Sequence, residues 1–180
     1  MKKLFSVLIC LVMVLTLSGC KDTASMAVEN YLAKYNSLHE DVLMDMDNVI
    51  MEENLSDNDK STYESIFKKQ YTDLKYEIIE EEYNGDEATV KTKITVYDLY
   101  KVQNDASMYL AENPDEFNDD NGIYDVTKYI SYKLDQMKNA TQTVDYTIDF
   151  YVVKTSEGWT VSSLSKTDLE KLHGVYNYES

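Results

Sequence analysis

The chain reads as an α+β protein in which helices lead, antiparallel strands follow, and the helices cover the apolar face of the sheet. Three observations predict this. Apolar residues recur at three- and four-residue spacing over residues 28–50, the period of an amphipathic helix. They alternate with polar residues over residues 144–152, the period of a half-buried strand. Asn84-Gly85 stands between two further alternating segments, a strong short-range hairpin signal.

The first segment is an address. Lys2 and Lys3 precede an apolar run over residues 4–17, and Leu17, Ser18, Gly19 and Cys20 close it. Basic residues, a short apolar stretch and small residues at the cut define an export signal. A run of about 14 residues falls short of the roughly 20 that span a bilayer. The arrangement resembles the lipobox of bacterial lipoprotein precursors. That resemblance implies recognition of Leu17, Ser18 and Gly19 by a lipid-specific signal peptidase and a diacylglyceryl group (palmitate-type chains) on Cys20. The mature protein is then lipid-anchored to the cell membrane on its extracytoplasmic side. The alternative is an ordinary secretory signal that happens to precede a cysteine. Residues 1–19 are thus expected to be cleaved, 20–25 to form a lipidated tether, and 26–180 to form a single α+β domain.

Val28, Tyr31, Leu32, Tyr35, Leu38, Val42, Met46, Val49 and Ile50 form the stripe of one long N-terminal helix. Ser61 with Glu64 makes a capping box, so a second, shorter helix is expected from there to about Tyr71, carrying Tyr63, Ile66 and Phe67. Leu74, Tyr76 and Ile78 begin a strand that returns through Asn84-Gly85 into Ala88, Val90, Ile94 and Val96. Residues 106–112 are expected to form a brief helix and residues 114–122 a loop. Asp125 caps a third clear helix with the stripe Val126, Tyr129, Ile130, Leu134 and Met137. Val144, Tyr146, Ile148, Phe150 and Val152 form the cleanest strand, Ser156 to Gly158 turn it, and Trp159, Val161 and Ser163 return. Thr167 with Glu170 suggests a last helical turn.

Composition excludes several functions. Cys10 leaves with the signal and Cys20 is the lipid site, so the exported domain has no thiol for a disulfide or a nucleophile. The formal charge is −16, and loss of Lys2 and Lys3 makes it more negative still. No arginine occurs, and nucleic acid is not an expected partner, since phosphate binding needs clustered Lys or Arg. The acidity also opposes lying flat on anionic lipid.

The order of elements, with Gly85-Asp86-Glu87-Ala88-Thr89-Val90 and Glu157-Gly158-Trp159-Thr160-Val161 as strand openings, resembles the cystatin-like α+β fold and especially the nuclear-transport-factor-2-like superfamily. With the lipobox, the chain resembles small lipoproteins of low-GC Gram-positive bacteria that carry such domains. The resemblance implies a curved antiparallel sheet of about four strands holding the long helix, with any pocket in the mouth of the sheet.

Tyr31, Tyr35, Tyr100 and Trp159 are candidates to line that pocket, since the chain holds 16 tyrosines against 4 phenylalanines and a phenol offers apolar area with a polar edge. Asp98 follows Ile94 and Val96 in phase and precedes Tyr100. A carboxylate there would serve as an acid–base group in an enzyme, or reach water at a strand end. Asp115, Glu116, Asn118, Asp119, Asp120 and Gly122 suggest calcium, but the EF-hand spacing fails because Phe117 and Lys128 would fall where carboxylates belong. His39 and His173 are expected at the surface. The function expected is a noncatalytic envelope binding module without a cofactor or metal. Its partner is a small molecule or an envelope protein, including a second copy on the open sheet face. A small-molecule enzyme using Asp98 and a calcium-binding protein are the alternatives.

Overall fold

Thr23 opens the first helix by accepting the Met26 amide proton on its side chain, and α1 runs Ala24–Asn36. Such a cap contributes about 1 kcal/mol. The structure is a computed structural model that describes residues 22–52 and 55–179. The signal, the lipobox and Cys20 lie outside the described residues. α1 begins inside the segment read as a tether.

The single long helix expected over residues 28–50 is two helices. Leu38 takes a left-handed φ of 52°, which ends α1. α2, Glu40–Glu52, starts on the His39 carbonyl, which accepts from the Leu43 amide. The stripe crosses the break because Leu32 and Tyr35 before it and Val42 and Met46 after it pack into one core. The Asn36 side-chain amide donates to the carbonyls of Tyr71 and Leu74, 2.9 Å each, and pins the break to the end of the next helix. That helix, α3, is Asp57–Thr72, capped by Ser56 and not by Ser61. Glu64 pairs instead with Lys68.

Four strands form an antiparallel meander in the order β1-β2-β3-β4: β1 Lys75–Asn84, β2 Glu87–Tyr97, β3 Thr143–Thr155 and β4 Gly158–Val161. Register sets Val90 opposite Phe150 and Ile94 opposite Tyr146. Their side chains join Val28 and Leu32 of α1 and Phe67 and Tyr71 of α3 in one core. Complete burial of Phe150 contributes about 2–3 kcal/mol. The β1–β2 register shifts between Ile78 and Glu80, so Ile79 is left 52 % exposed. The outer face is polar, with Lys93 between Glu77 and Asp145 and Lys91 on Glu80.

The helix expected over 106–112 is longer: α4 is Leu99–Glu112, begun by Asp98. A 3-10 turn, Pro114–Phe117, and α5, Val126–Lys138, follow. Leu99, Leu134 and Met137 pack with Ile66 of α3 in a second apolar cluster. α6, Lys166–His173, is capped by Ser165 and sends Leu172 into the main core. The result is an α+β architecture, with several helices packed against a four-stranded antiparallel sheet.

Candidate functional site

β2 ends at Tyr97, and Asp98 turns the chain into α4. Its Oδ1 accepts from the Lys101 amide at 2.9 Å and its Oδ2 from the Tyr178 hydroxyl at 3.0 Å. Asp98 is 8 % exposed. It is a helix cap at the strand end, which corrects the strand-face reading and, because the carboxylate is buried there, also the expectation that at a strand end it reaches water. The reading in phase with Ile94 and Val96 overlooked that a carboxylate after a strand suits a helix start equally well. Among the described residues Asp98 forms no ion pair; the neighbouring Lys101 ammonium is held by Asp105 at 2.6 Å.

The C-terminal residues 175–179 cover this carboxylate. Gly174 ends α6 in the left-handed region, φ +72°, and a Cβ there would collide with the Tyr97 carbonyl and the Gln70 side-chain amide. The Gly174 carbonyl accepts from the Tyr100 amide at 2.8 Å. Beyond it, the Tyr178 ring meets Tyr100 edge-on at 5.0 Å and the Tyr176 ring meets Tyr146 edge-on at 5.7 Å. Glu179 accepts from the Tyr100 hydroxyl at 3.4 Å and from Asn104 at 3.5 Å.

Tyr146 lies beneath, its hydroxyl buried and, among the described residues, without a hydrogen-bond partner. Burial and the negative charge of Asp98 push its pKa well above the usual phenol range. Burial, then the bond to Asp98, pushes Tyr178 up to about 12. Both phenols therefore stay protonated at neutral pH; Tyr178 donates its proton to Asp98, and Tyr146, among the described residues, has no acceptor. The site is a buried carboxylate bonded by Tyr178, with Tyr100 packed on that phenol, the charge of Asp98 felt by Tyr146, and a second carboxylate, Glu179, on the C-terminal segment.

The residues expected to share one pocket occupy three places. Asp98 and Tyr100 are together. Tyr31 and Tyr35 are packed in the core, with rings 5.7 Å apart and hydroxyls at 3.4 Å; Tyr31 meets Phe150 and Tyr35 meets Tyr71. Trp159 sits at the opposite end of the sheet, where it meets Tyr83 at 5.3 Å and lies under the Lys154 ammonium. Tyr146, Tyr176 and Tyr178 were missed: Tyr146 read as an ordinary inward strand residue, and only the tyrosine spacing at the C-terminus hinted at the other two.

His39 is exposed, 3.5 Å from Asp41. His173 is not a surface residue as expected. Its ring packs on Phe67 and Tyr71, and burial lowers its pKa to about 4. In the loop considered for calcium, one Asp119 oxygen accepts the amides of Ile123 and Asn121 at 2.9 Å each. Those bonds hold its pKa below the usual carboxylate range. Among the described residues no three His, Cys, Asp or Glu side chains converge as metal ligands would.

A hollow of about 460 Å³ lies between the 3-10 turn and α5, lined by Glu116, Phe117, Lys128 and Tyr132 among others. Its charged groups are engaged within the chain, Glu116 by Tyr109 and Lys128 by the Asn118 carbonyl. No family model, characterised protein or solved structure matches the chain.

Proposed function

We propose that this chain is a lipid-anchored, noncatalytic binding module on the extracytoplasmic side of the cell membrane, with a domain of the nuclear-transport-factor-2-like or cystatin-like kind. Its ligand site is the Asp98 cluster, and the ligand is a small organic cation. The carrying observation is a buried carboxylate with no ion-pair partner among the described residues, held by the Tyr178 hydroxyl of the C-terminal segment, whose charge also acts on Tyr146, a buried phenol with no hydrogen-bond partner among the described residues. A buried charge is costly unless paired, and tyrosine faces attract organic cations. Tyr178 occupies the place beside Asp98 from within the chain. Asp98 also holds the Lys101 amide, a use that suits fixing a charge better than shuttling a proton. The anchor is supported by Leu17, Ser18, Gly19 and Cys20 after the apolar run. The domain type is supported by the N-terminal helix laid on a four-strand meander. A partner on the outer sheet face is less favoured, because that face pairs its own charges and Tyr151 is its chief exposed apolar side chain.

Calorimetric titration with choline and with ethanolamine tests the site. Asp98→Asn keeps a capping side chain but removes the charge, and affinity should fall about tenfold or more, equal to about 1.4 kcal/mol. Removing residues 175–180 should strengthen binding. Absence of heat with both the full and the shortened chain overturns the ligand assignment. Turnover of a substrate that Asp98→Asn abolishes would replace it with the enzyme reading.

A further inference from the structure

We infer that the anchored domain meets the bilayer with one defined end, placing Trp159 and Tyr83 in the headgroup layer of the lipid surface. This rests on the lipid-anchor reading of Cys20. Asp22 already belongs to the fold, since its carboxylate accepts from the Trp159 amide at 3.2 Å. Gly158, at φ +115°, makes the approach feasible, because a Cβ there would collide with the Asp22 carboxylate. The next residues are tied down as well: the Ala24 amide donates to the Tyr83 hydroxyl at 3.2 Å, and the Ser25 amide to Glu81 at 2.8 Å. The start of α1 is therefore fastened to the end of the sheet that carries the β1–β2 and β3–β4 turns.

Only Lys21 separates Asp22 from Cys20. At about 3.3–3.6 Å per residue, two residues of chain span no more than roughly 7 Å. Acyl chains on Cys20 reach the hydrocarbon only if its backbone lies at headgroup depth, and the headgroup layer is itself about 5–8 Å thick on each side. What stands at this end fits the layer. Trp159 packs against Tyr83, which is 50 % exposed, and Lys154 stands over the indole. Tryptophan and tyrosine concentrate at membrane interfaces because their rings are apolar and their edges polar, and lysine stems extend to the polar layer. Asp86, Glu87 and Glu157 are exposed at the same turns and repel anionic headgroups, so the surface matched is zwitterionic lipid. β2 runs eleven residues from Glu87 to Tyr97. At about 3.3 Å per residue this places Asp98 some 35 Å further along the sheet, so the ligand site faces away from the bilayer.

Trp159 is the chain's one tryptophan and reports on itself. The full chain is expressed in cells, recovered from membranes, weighed intact for a diacylglyceryl group on a chain starting at Cys20, and placed in phosphatidylcholine vesicles brominated near the acyl carbonyls. Trp159 emission should fall to about half of that in unbrominated vesicles, as for an interfacial indole. Inserting about ten Gly and Ser residues between Lys21 and Asp22, a flexible spacer, should keep the lipid mass and restore emission. A lipidated, vesicle-bound chain whose emission ignores bromine, or one quenched equally with the spacer, overturns the orientation and leaves the anchor standing. A chain without the diacylglyceryl mass overturns the anchor and the orientation with it.

Discussion

His173 shows how one side chain acquires a property from its surroundings. Nothing around it in sequence distinguishes it from a solvated residue near a helix end, yet its ring packs on Phe67 and Tyr71 and its pKa falls to about 4. The unfolded chain, with histidine near 6.5, binds more protons than the folded one between about pH 4 and 6.5. Stability therefore falls as pH drops through that window, by up to about 3 kcal/mol at about 1.4 kcal/mol per unit. Urea midpoints between pH 7 and 4.5 should fall less steeply for His173→Phe, which keeps a ring and removes the titration. Parallel curves would show that the ring is solvated. Asp41, bonded to Lys34, and Asp119, bonded to the Ile123 and Asn121 amides, have lowered pKa values. Their contributions disappear only as pH falls below the usual aspartate value, outside the window that reads His173.

At the scale of elements, periodicity located the helices and strands well and their ends poorly. Alternation in β3 predicted its inner face residue by residue, because a strand buried on one side must alternate. The break at Leu38 was invisible, because the residues on either side still supply one stripe. Its test is direct. At φ of 52° glycine is free of the penalty of about 1 kcal/mol that other residues pay there, whereas inside a helix alanine is better than glycine by about 1 kcal/mol. Leu38→Gly should thus be more stable than Leu38→Ala by roughly 1 kcal/mol in chemical denaturation. The reverse order would mean one continuous helix. Asp98 illustrates the same limit: pattern placed it at the end of a strand, but that it caps α4 while accepting Tyr178, eighty residues away, follows only from the fold.

For the whole molecule, charge is the dominant global term. Acidic residues number 33 and basic residues 17, and most ion pairs are exposed, such as Lys34 with Asp41 and Lys91 with Glu80. Exposed pairs contribute about 0–1 kcal/mol each, so net self-repulsion outweighs them. Raising ionic strength from about 0.01 M to 1 M shortens the screening length from about 30 Å to 3 Å and should raise the melting temperature. A fall would show that the ion pairs dominate. The same balance favours a cationic ligand for the Asp98 site and disfavours anionic lipid at the turns beside Trp159.

The sequence by itself determined the α+β class, the inner faces of β2 and β3 and the presence of the β1–β2 hairpin, whose turn falls on Gly85-Asp86 with Asn84 paired to Glu87, one residue beyond the expected Asn84-Gly85. These follow from local period and turn chemistry. Tertiary structure alone decided where Leu38 breaks the helix, that the half-buried His173 ring packs on Phe67 and Tyr71, that Asp22 docks against Trp159, and that Tyr178 reaches Asp98 while Tyr176 packs on Tyr146. Those depend on contacts between residues remote along the chain, and such contacts leave no local period to read.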